Sequence, residues 1–374
     1  MKTILLSLIA IGIAFAQHEA PLHSPDVQAD GRVTFRFRAP NAQHVSLNLA
    51  DAKQPYVMQK DNEGVWVVTT EALAPDFYGY SFEVDSVHSL DPYDPHIIPN
   101  LLNPSDEMRV PGPSPAPWDL TDIPHGTVNH HFYRSSIVGD DRGFYVYTPP
   151  GYDPAAKNLY PVLYLLHGYS DDARAWAVVG RANLILDSLI AEHKAKPMII
   201  VMPLGYGAPE IVQHTAVFGA PFSHAELREK NFSKFRQALI EEVIPRVEKS
   251  YKIKPDRASR AIAGLSMGGA ESLLTGLNRL DKFAWVGAFS SGGLDDNFAS
   301  DFPNLSSAAN EQLRLLWISC GTDDHLIGLN RNLIAWLKSK EIRVTQIETP
   351  GMHSWSVWRR NLVALAPLLF TDSR

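Results

Sequence analysis

Two textures of hydrophobic patterning divide the chain. Residues 31–85 carry short runs in which apolar and polar positions alternate: Val33-Thr34-Phe35-Arg36-Phe37, Val45-Ser46-Leu47-Asn48-Leu49, Val65-Trp66-Val67-Val68 and Tyr78-Gly79-Tyr80-Ser81-Phe82, with turn residues between them. A period of two buries one face of each strand, which predicts a small β-sandwich. Beyond residue 125 the pattern changes to continuous apolar runs: Phe144-Tyr145-Val146-Tyr147, 161–166, Met198-Ile199-Ile200-Val201-Met202, 260–265, 285–289, 315–319 and 343–348. Helical stretches separate most of them, the longest over 224–252 with Phe232, Phe235, Leu239, Val243 and Val247 on one face. Strands apolar on both faces, alternating with helices, predict a mainly parallel sheet covered on both sides.

Between these textures, residues 100–124 contain Pro104, Pro111, Pro113, Pro115, Pro117 and Pro124, which predicts a stiff, irregular linker. The expected organisation is thus a sandwich over 25–99, a linker over 100–124 and an α/β domain over 125–374. A length of 374 residues suits two domains. At the amino terminus, Met1-Lys2-Thr3 precedes an apolar run over 4–15 and the small-x-small sequence Ala14-Phe15-Ala16. This predicts a signal peptide over 1–16 and a secreted or periplasmic protein. The run is too short to span a bilayer and no later run approaches that length, so no membrane association is expected.

Composition narrows the partners. The formal charge is −7 and no basic stripe occurs, which argues against nucleic acid. The single cysteine, Cys320, lies in an apolar strand and reads as a small buried packing residue. No phosphate-binding glycine loop, nicotinamide fingerprint or metal motif is present. His130-His131 are adjacent rather than at ligand spacing and read as strand residues pointing opposite ways. No cofactor and no metal are expected.

The stretch Gly264-Leu265-Ser266-Met267-Gly268-Gly269 carries the chemistry. It follows a strand-length run and precedes leucines at helical spacing, so Ser266 falls on a sharp strand-to-helix turn. Such a turn is strained and requires minimal side chains two positions before and after the serine, supplied by Gly264 and Gly268. A serine hydroxyl needs a general base, and the base needs an acidic orienter. In the chain order of this motif both follow the nucleophile. Of fourteen histidines only His325 and His353 do so. His353 lies in the turn after a strand, at the ligand-binding edge of a sheet, and is the better base. His325 reads as a loop residue. For the acid, Asp323 and Asp324 end the 315–320 strand, with Asp295 and Asp296 as rivals after the preceding strand. The amide of Met267 heads the helix after Ser266, and Tyr169, after the strand ending in His167-Gly168, offers the second amide of an oxyanion hole. His167 precedes the serine and reads as a structural residue bonded to backbone.

At these residues the chain resembles the esterase D-like or feruloyl-esterase-like α/β hydrolases of carbohydrate esterase family 1. The likeness runs through Tyr145-Val146-Tyr147-Thr148-Pro149-Pro150-Gly151-Tyr152, Tyr164-Leu165-Leu166-His167-Gly168, Ile262-Ala263-Gly264-Leu265-Ser266-Met267-Gly268-Gly269, Cys320-Gly321-Thr322-Asp323-Asp324 and Gly351-Met352-His353-Ser354-Trp355. It implies an α/β-hydrolase fold, favours Asp324 over Asp323 as the acid, and places the oxyanion amides on Tyr169 and Met267. The amino-terminal segment resembles the early-set, immunoglobulin-like modules of carbohydrate-binding family 48, through Phe37-Arg38-Ala39-Pro40-Asn41-Ala42, Gly64-Val65-Trp66, Tyr78-Gly79-Tyr80 and Asp91-Pro92-Tyr93-Asp94-Pro95. It departs from that pattern at Ser86 and Asp94. Trp66 reads equally as a sugar-stacking or a core residue.

The resemblance makes feruloyl esters of arabinoxylan the leading substrate. Residues 204–223 form a long loop whose Tyr206, Phe218 and Phe222, with Tyr169 and Trp355, are candidates for a slot holding a planar phenolic acid. The expected function is a secreted serine esterase acting on feruloylated or acetylated polysaccharide, with possible glycan binding by the sandwich. Alternatives are an acetyl-xylan esterase, a siderophore esterase, an acyltransferase to sugar, or a glycan-binding protein with an idle hydrolase domain.

Overall fold

A computed structural model describes residues 22–213, 222, 224–295 and 297–371 of the chain. The predicted signal peptide over 1–16 and the candidate Phe218 lie outside the described residues.

Ten strands build the sandwich. One sheet joins β1 (Asp26–Val27), β2 (Val33–Arg38), β6 (Val65–Thr69) and β5 (Gln59–Lys60), in that order. The second joins β4 (Tyr56–Val57), β3 (Val45–Leu49), β7 (Asp76–Val84), β10 (Ser105–Val110) and β9 (Ile97–Ile98), with β8 (Val87–Ser89) paired to β7. The alternation works as period two requires: Val33, Phe35 and Phe37 from β2 meet Leu47, Tyr80 and Phe82 from the facing sheet. Trp66 belongs to this core, 6 % exposed, with Nε1 donating to the carbonyl of Ala39 at 2.9 Å, so it is no exposed sugar platform.

The sandwich extends further along the chain than the proline pattern suggested. Strand β10 falls within 100–124, where an irregular linker was expected, and pairs antiparallel with β7 from Asp106 opposite Tyr80 to Val110 opposite Asp76. Its alternation, with Asp106, Met108 and Val110 buried, is short and carries a carboxylate at one core position, which hides it among the flanking prolines.

The α/β domain holds one eight-stranded sheet in the order β11 (Thr127–Arg134), β12 (Asp141–Thr148), β14 (Ile199–Pro203), β13 (Val162–Leu166), β15 (Arg260–Leu265), β16 (Trp285–Phe289), β17 (Leu315–Gly321) and β18 (Thr345–Thr349). β13 to β18 run parallel, and β12 and β11 add antiparallel at one edge. Both faces of the central strands, β13 to β17, are buried. Val162, Tyr164 and Leu166 of β13 point into one core, Leu163 and Leu165 into the other. On the edge strand His130 stacks on Tyr145 and His131 on Phe144, from opposite faces. The long helix expected over 224–252 is interrupted by one wide turn: Ala225–Ala238 and Ile244–Ser250 are α-helical, and Leu239–Val243 is a π-helix. Pro245 explains it, because it lacks an amide proton and its ring clashes with the carbonyl four residues earlier.

The two domains share buried contacts. Arg359, fully buried on the helix Trp355–Leu365, donates to Asp76 Oδ1 at 2.7 Å and to the carbonyl of Phe77 at 2.9 Å in the sandwich, and to the carbonyl of Val179 at 3.0 Å in the α/β domain. Arg181 pairs with Glu107 at 2.5 Å and lies over the Phe77 ring.

Candidate active site

Ser266 follows β15, near the middle of the sheet, and caps the helix Met267–Gly276. Its backbone sits at φ 51° and ψ −116°, a conformation that L residues adopt only under constraint. The flanking glycines permit it. A Cβ on Gly264 would lie 2.4 Å from the Gly268 carbonyl oxygen, and one on Gly268 would lie 2.4 Å from that of His167. The side chain is thereby pushed out of the turn at the carboxyl edge of the sheet.

Parallel pairing of β15, β16, β17 and β18 brings the loops after these strands to the same edge. The loops after β17 and β18 are laced together by the amides of Thr322 and Asp323, which donate to the carbonyls of Thr349 and Gly351, each at 2.9 Å. Asp324 therefore meets His353: Nδ1 lies 2.8 Å from Asp324 Oδ2, and Nε2 lies 3.0 Å from Ser266 Oγ. With the proton on Nδ1, directed at the carboxylate, Nε2 is left to accept from the serine hydroxyl. Burial would raise the pKa of Asp324, but hydrogen bonding and charge from His353, with the Leu326 amide donating to Oδ1 at 2.8 Å, hold it below its ordinary value. It remains an anion that orients the imidazole.

None of the described rivals bonds to Ser266. Asp323 is exposed and accepts from the Thr322 hydroxyl. His325 has its ring centroid 4.8 Å from that of His353, but its side chain is 71 % exposed and it makes no bond to Ser266. Asp295 is exposed and caps the amide of Asn297, while Asp296 lies outside the described residues. His167 is buried: its Nε2 accepts from the Gly205 amide at 2.9 Å, so Nδ1 carries the proton and donates to the Gly168 carbonyl at 2.8 Å. Desolvation lowers its pKa to about 4, and the ring is neutral.

Met267 supplies the first amide of the helix after Ser266, one that an α-helix leaves without an internal acceptor. Tyr169 follows Gly168 in the loop after β13 and lines the cleft above Ser266. Its hydroxyl donates to the Ile211 carbonyl at 3.4 Å, and its ring meets that of Phe222 edge-on. Among the proposed slot residues, Trp355 lines the cleft and packs edge-on against Trp176 and Trp358. Phe222 stacks on Phe232 and packs against the core. Tyr206 does not line the cleft. It is 2 % exposed within the core, and its hydroxyl donates to the Asp171 carbonyl at 2.9 Å. Tyr206 packs into the core of its own domain, so aromatic content alone misassigns it.

The cleft over Ser266 measures about 570 Å³, and one wall comes from the sandwich. Asn48, Asp51 and Glu107 from that module, and Asn100 and Asn103 between β9 and β10, face Ser266, His353 and Trp355. Sequence reasoning missed these residues. Asn48 and Glu107 lie within strands β3 and β10, where alternation marks them only as polar positions off the core face, and Asp51, Asn100 and Asn103 lie in turns and loops without a motif.

Residues 135–369 match the Esterase family, described as "Putative esterase", and residues 23–96 match carbohydrate-binding module 48 (isoamylase N-terminal domain). An endo-1,4-beta-xylanase/feruloyl esterase of Xylanibacter ruminicola is 31% identical over 353 residues, 92% of this chain and 46% of that protein. The chain thus spans about half the length of that relative. An acetyl esterase of Caldicellulosiruptor saccharolyticus is 24% identical over 56% of this chain and 82% of its own. Among solved structures, a CE1 ferulic acid esterase from Anaeromyces mucronatus in complex with ferulic acid is 26% identical, with a TM-score of 0.57 over 67% of this chain and 93% of that one. The enterobactin esterase of Shigella flexneri shares the fold over 91% of this chain and 94% of its own, at a TM-score of 0.65 and 19% identity.

Proposed function

The chain belongs to the esterase family of α/β hydrolases, with a family 48 carbohydrate-binding module ahead of it, and from that premise we propose that it is a serine esterase releasing ferulate from feruloylated plant polysaccharide. The observation that carries this reading is the unbroken hydrogen-bond chain from Ser266 through His353 to Asp324, opening into a cleft lined by Tyr169 and Trp355. His353 takes the Ser266 proton as the oxygen attacks the ester carbonyl, and the amides of Met267 and Tyr169 hold the resulting oxyanion. Collapse expels the sugar alcohol, which receives the proton from His353 and leaves an acyl-serine. Water then attacks the acyl group by the same steps, releasing the acid and restoring Ser266.

The names of the Xylanibacter relative and the Anaeromyces structure support a feruloyl acyl group and a polysaccharide alcohol. A cleft of this volume suits a phenolic acid together with part of a sugar. The leader-like residues 1–16 support action outside the cytoplasm, and no helix among the described residues is long and apolar enough to cross a membrane.

The test measures ferulate and acetate release, side by side, from methyl ferulate, feruloylated arabinoxylan and acetylated xylan. Ferulate release by the native chain, reduced at least ~10³-fold in Ser266→Ala, is the expected result. Acetate alone would move the assignment to deacetylation, and ordinary turnover by Ser266→Ala would remove Ser266 as the nucleophile.

A further inference from the structure

The loop that carries the Tyr169 amide is held from outside its own domain. Ser170, the next residue, has φ +64°, a left-handed conformation that a residue with a side chain occupies only when its surroundings enforce it. The enforcing partners come from the chain between β9 and β10. The amide of Leu101 donates to the Ser170 carbonyl at 2.7 Å. Asn100, 70 residues from Ser170 in sequence, donates from Nδ2 to Ser170 Oγ at 3.0 Å and to Asp171 Oδ1 at 3.1 Å.

The same asparagine uses its other end on its own segment. Asn100 Oδ1 accepts from the amides of Leu102 at 3.0 Å and Asn103 at 2.9 Å, folding a tight turn that aims Nδ2 across the domain boundary. On the far side of the loop the Asp171 carbonyl accepts from the Tyr206 hydroxyl, and the Asp171 amide donates to the Gly168 carbonyl at 3.3 Å. The peptide linking Gly168 to Tyr169 is therefore clamped between the α/β core and a turn of the sandwich module's chain. An oxyanion donor stabilises the transition state only if it is oriented before the reaction begins, so what fixes this loop sets the rate of the chemical step.

We propose that Asn100 is a positioning residue for the oxyanion hole, so that the chain of the amino-terminal module presets the Tyr169 amide in addition to walling the cleft. This rests on the reading of the Tyr169 amide as an oxyanion donor. Asn100 touches neither the nucleophile nor the base, and its action passes through Ser170 and Asp171.

Two full-length variants separate the roles of its two ends. Asn100→Asp keeps an acceptor for the Leu102 and Asn103 amides but sets a carboxyl against that of Asp171 in place of the Nδ2 donor, whereas Asn100→Ala removes both ends without adding a charge. With p-nitrophenyl acetate, a substrate too small to reach the sandwich wall, both variants are expected to lose about 10-fold in kcat with KM changed less than about twofold. Affinity for an aryl boronic acid, which forms a tetrahedral adduct on the serine, should fall by the same factor, while inhibition by acetate, the planar product of that small ester, stays unchanged. Boronate affinity and kcat equal to those of the native chain in Asn100→Ala would overturn the proposal. So would a loss of kcat matched by weaker acetate binding and a lower Tm, which would mark a role in folding alone. If the native chain does not bind the boronate, or Ser266→Ala still turns over, the underlying catalytic reading fails instead.

Discussion

Ser356 donates a 2.7 Å hydrogen bond to Asp51 Oδ2, joining residues 305 positions apart across the mouth of the cleft. Asp51 is in a left-handed conformation at φ 65°, in the turn after β3, and Ser356 is one residue past Trp355. The bond ties the sandwich wall to the helix that follows the candidate base. Ser356→Ala is expected to raise KM for feruloylated arabino-oligosaccharides several-fold and to leave kcat for methyl ferulate within about twofold, because it loosens the wall and leaves the triad intact. Steady-state kinetics on the two substrates checks this. An equal change on both would mean that the bond acts on the chemistry.

The two adjacent aspartates differ in what they face, and kinetics should separate them. Asp324→Asn replaces the oriented anion by an amide that can donate to His353 Nδ1 and favour the wrong tautomer, with an expected loss of about 10³- to 10⁴-fold in kcat. Asp323→Asn and His325→Ala, which alter exposed side chains, are expected to stay within a few-fold of the native chain. Turnover of a chromogenic ester by the purified variants measures both.

Arg359 is a fully buried cation whose bonds span both domains. Arg359→Met leaves the Asp76 carboxylate buried and unpaired, and about 3–5 kcal/mol of stability should be lost. The double change Arg359→Met with Asp76→Leu should recover part of that loss by removing the orphaned charge. Denaturant unfolding followed by tryptophan fluorescence gives both values.

His167 makes stability depend on pH in a predictable direction. Burial lowers its pKa to about 4 from an ordinary value near 6.5, so the unfolded chain binds a proton that the folded chain refuses. Its contribution is fully present above about pH 6.5 and is lost as pH falls towards 4. His167→Asn removes this titration, and its Tm should fall less between pH 7 and pH 5 than that of the native chain. Parallel slopes for the two proteins would contradict the assignment.

Much of this arrangement was legible in the sequence, because the features concerned are written locally. The glycines around Ser266 follow from one strained turn, and a parallel sheet gathers the ends of consecutive strands at one edge, so motifs after β15, β17 and β18 converge. Continuous apolar runs mark strands buried on both faces, and short alternating runs mark a sandwich. Trp66 stayed ambiguous between core and surface, since periodicity gives a side chain's direction but not what lies opposite. Strand β10 was hidden by prolines, and the π-turn before Pro245 by an otherwise regular helical pattern.

What only the tertiary structure decided is which distant segments meet. Tyr206 has the chemistry of a binding residue, yet its side chain is buried in the core and its hydroxyl is spent on the Asp171 carbonyl. Asp51 and Asn100 carry no signal of their own, yet docking the sandwich on the α/β domain brings them to the cleft. The physical reason is that secondary structure and nucleophile chemistry depend on neighbours a few residues apart. The walls of a cleft instead depend on packing between surfaces whose complementarity is a property of shape, and no short stretch of sequence encodes it.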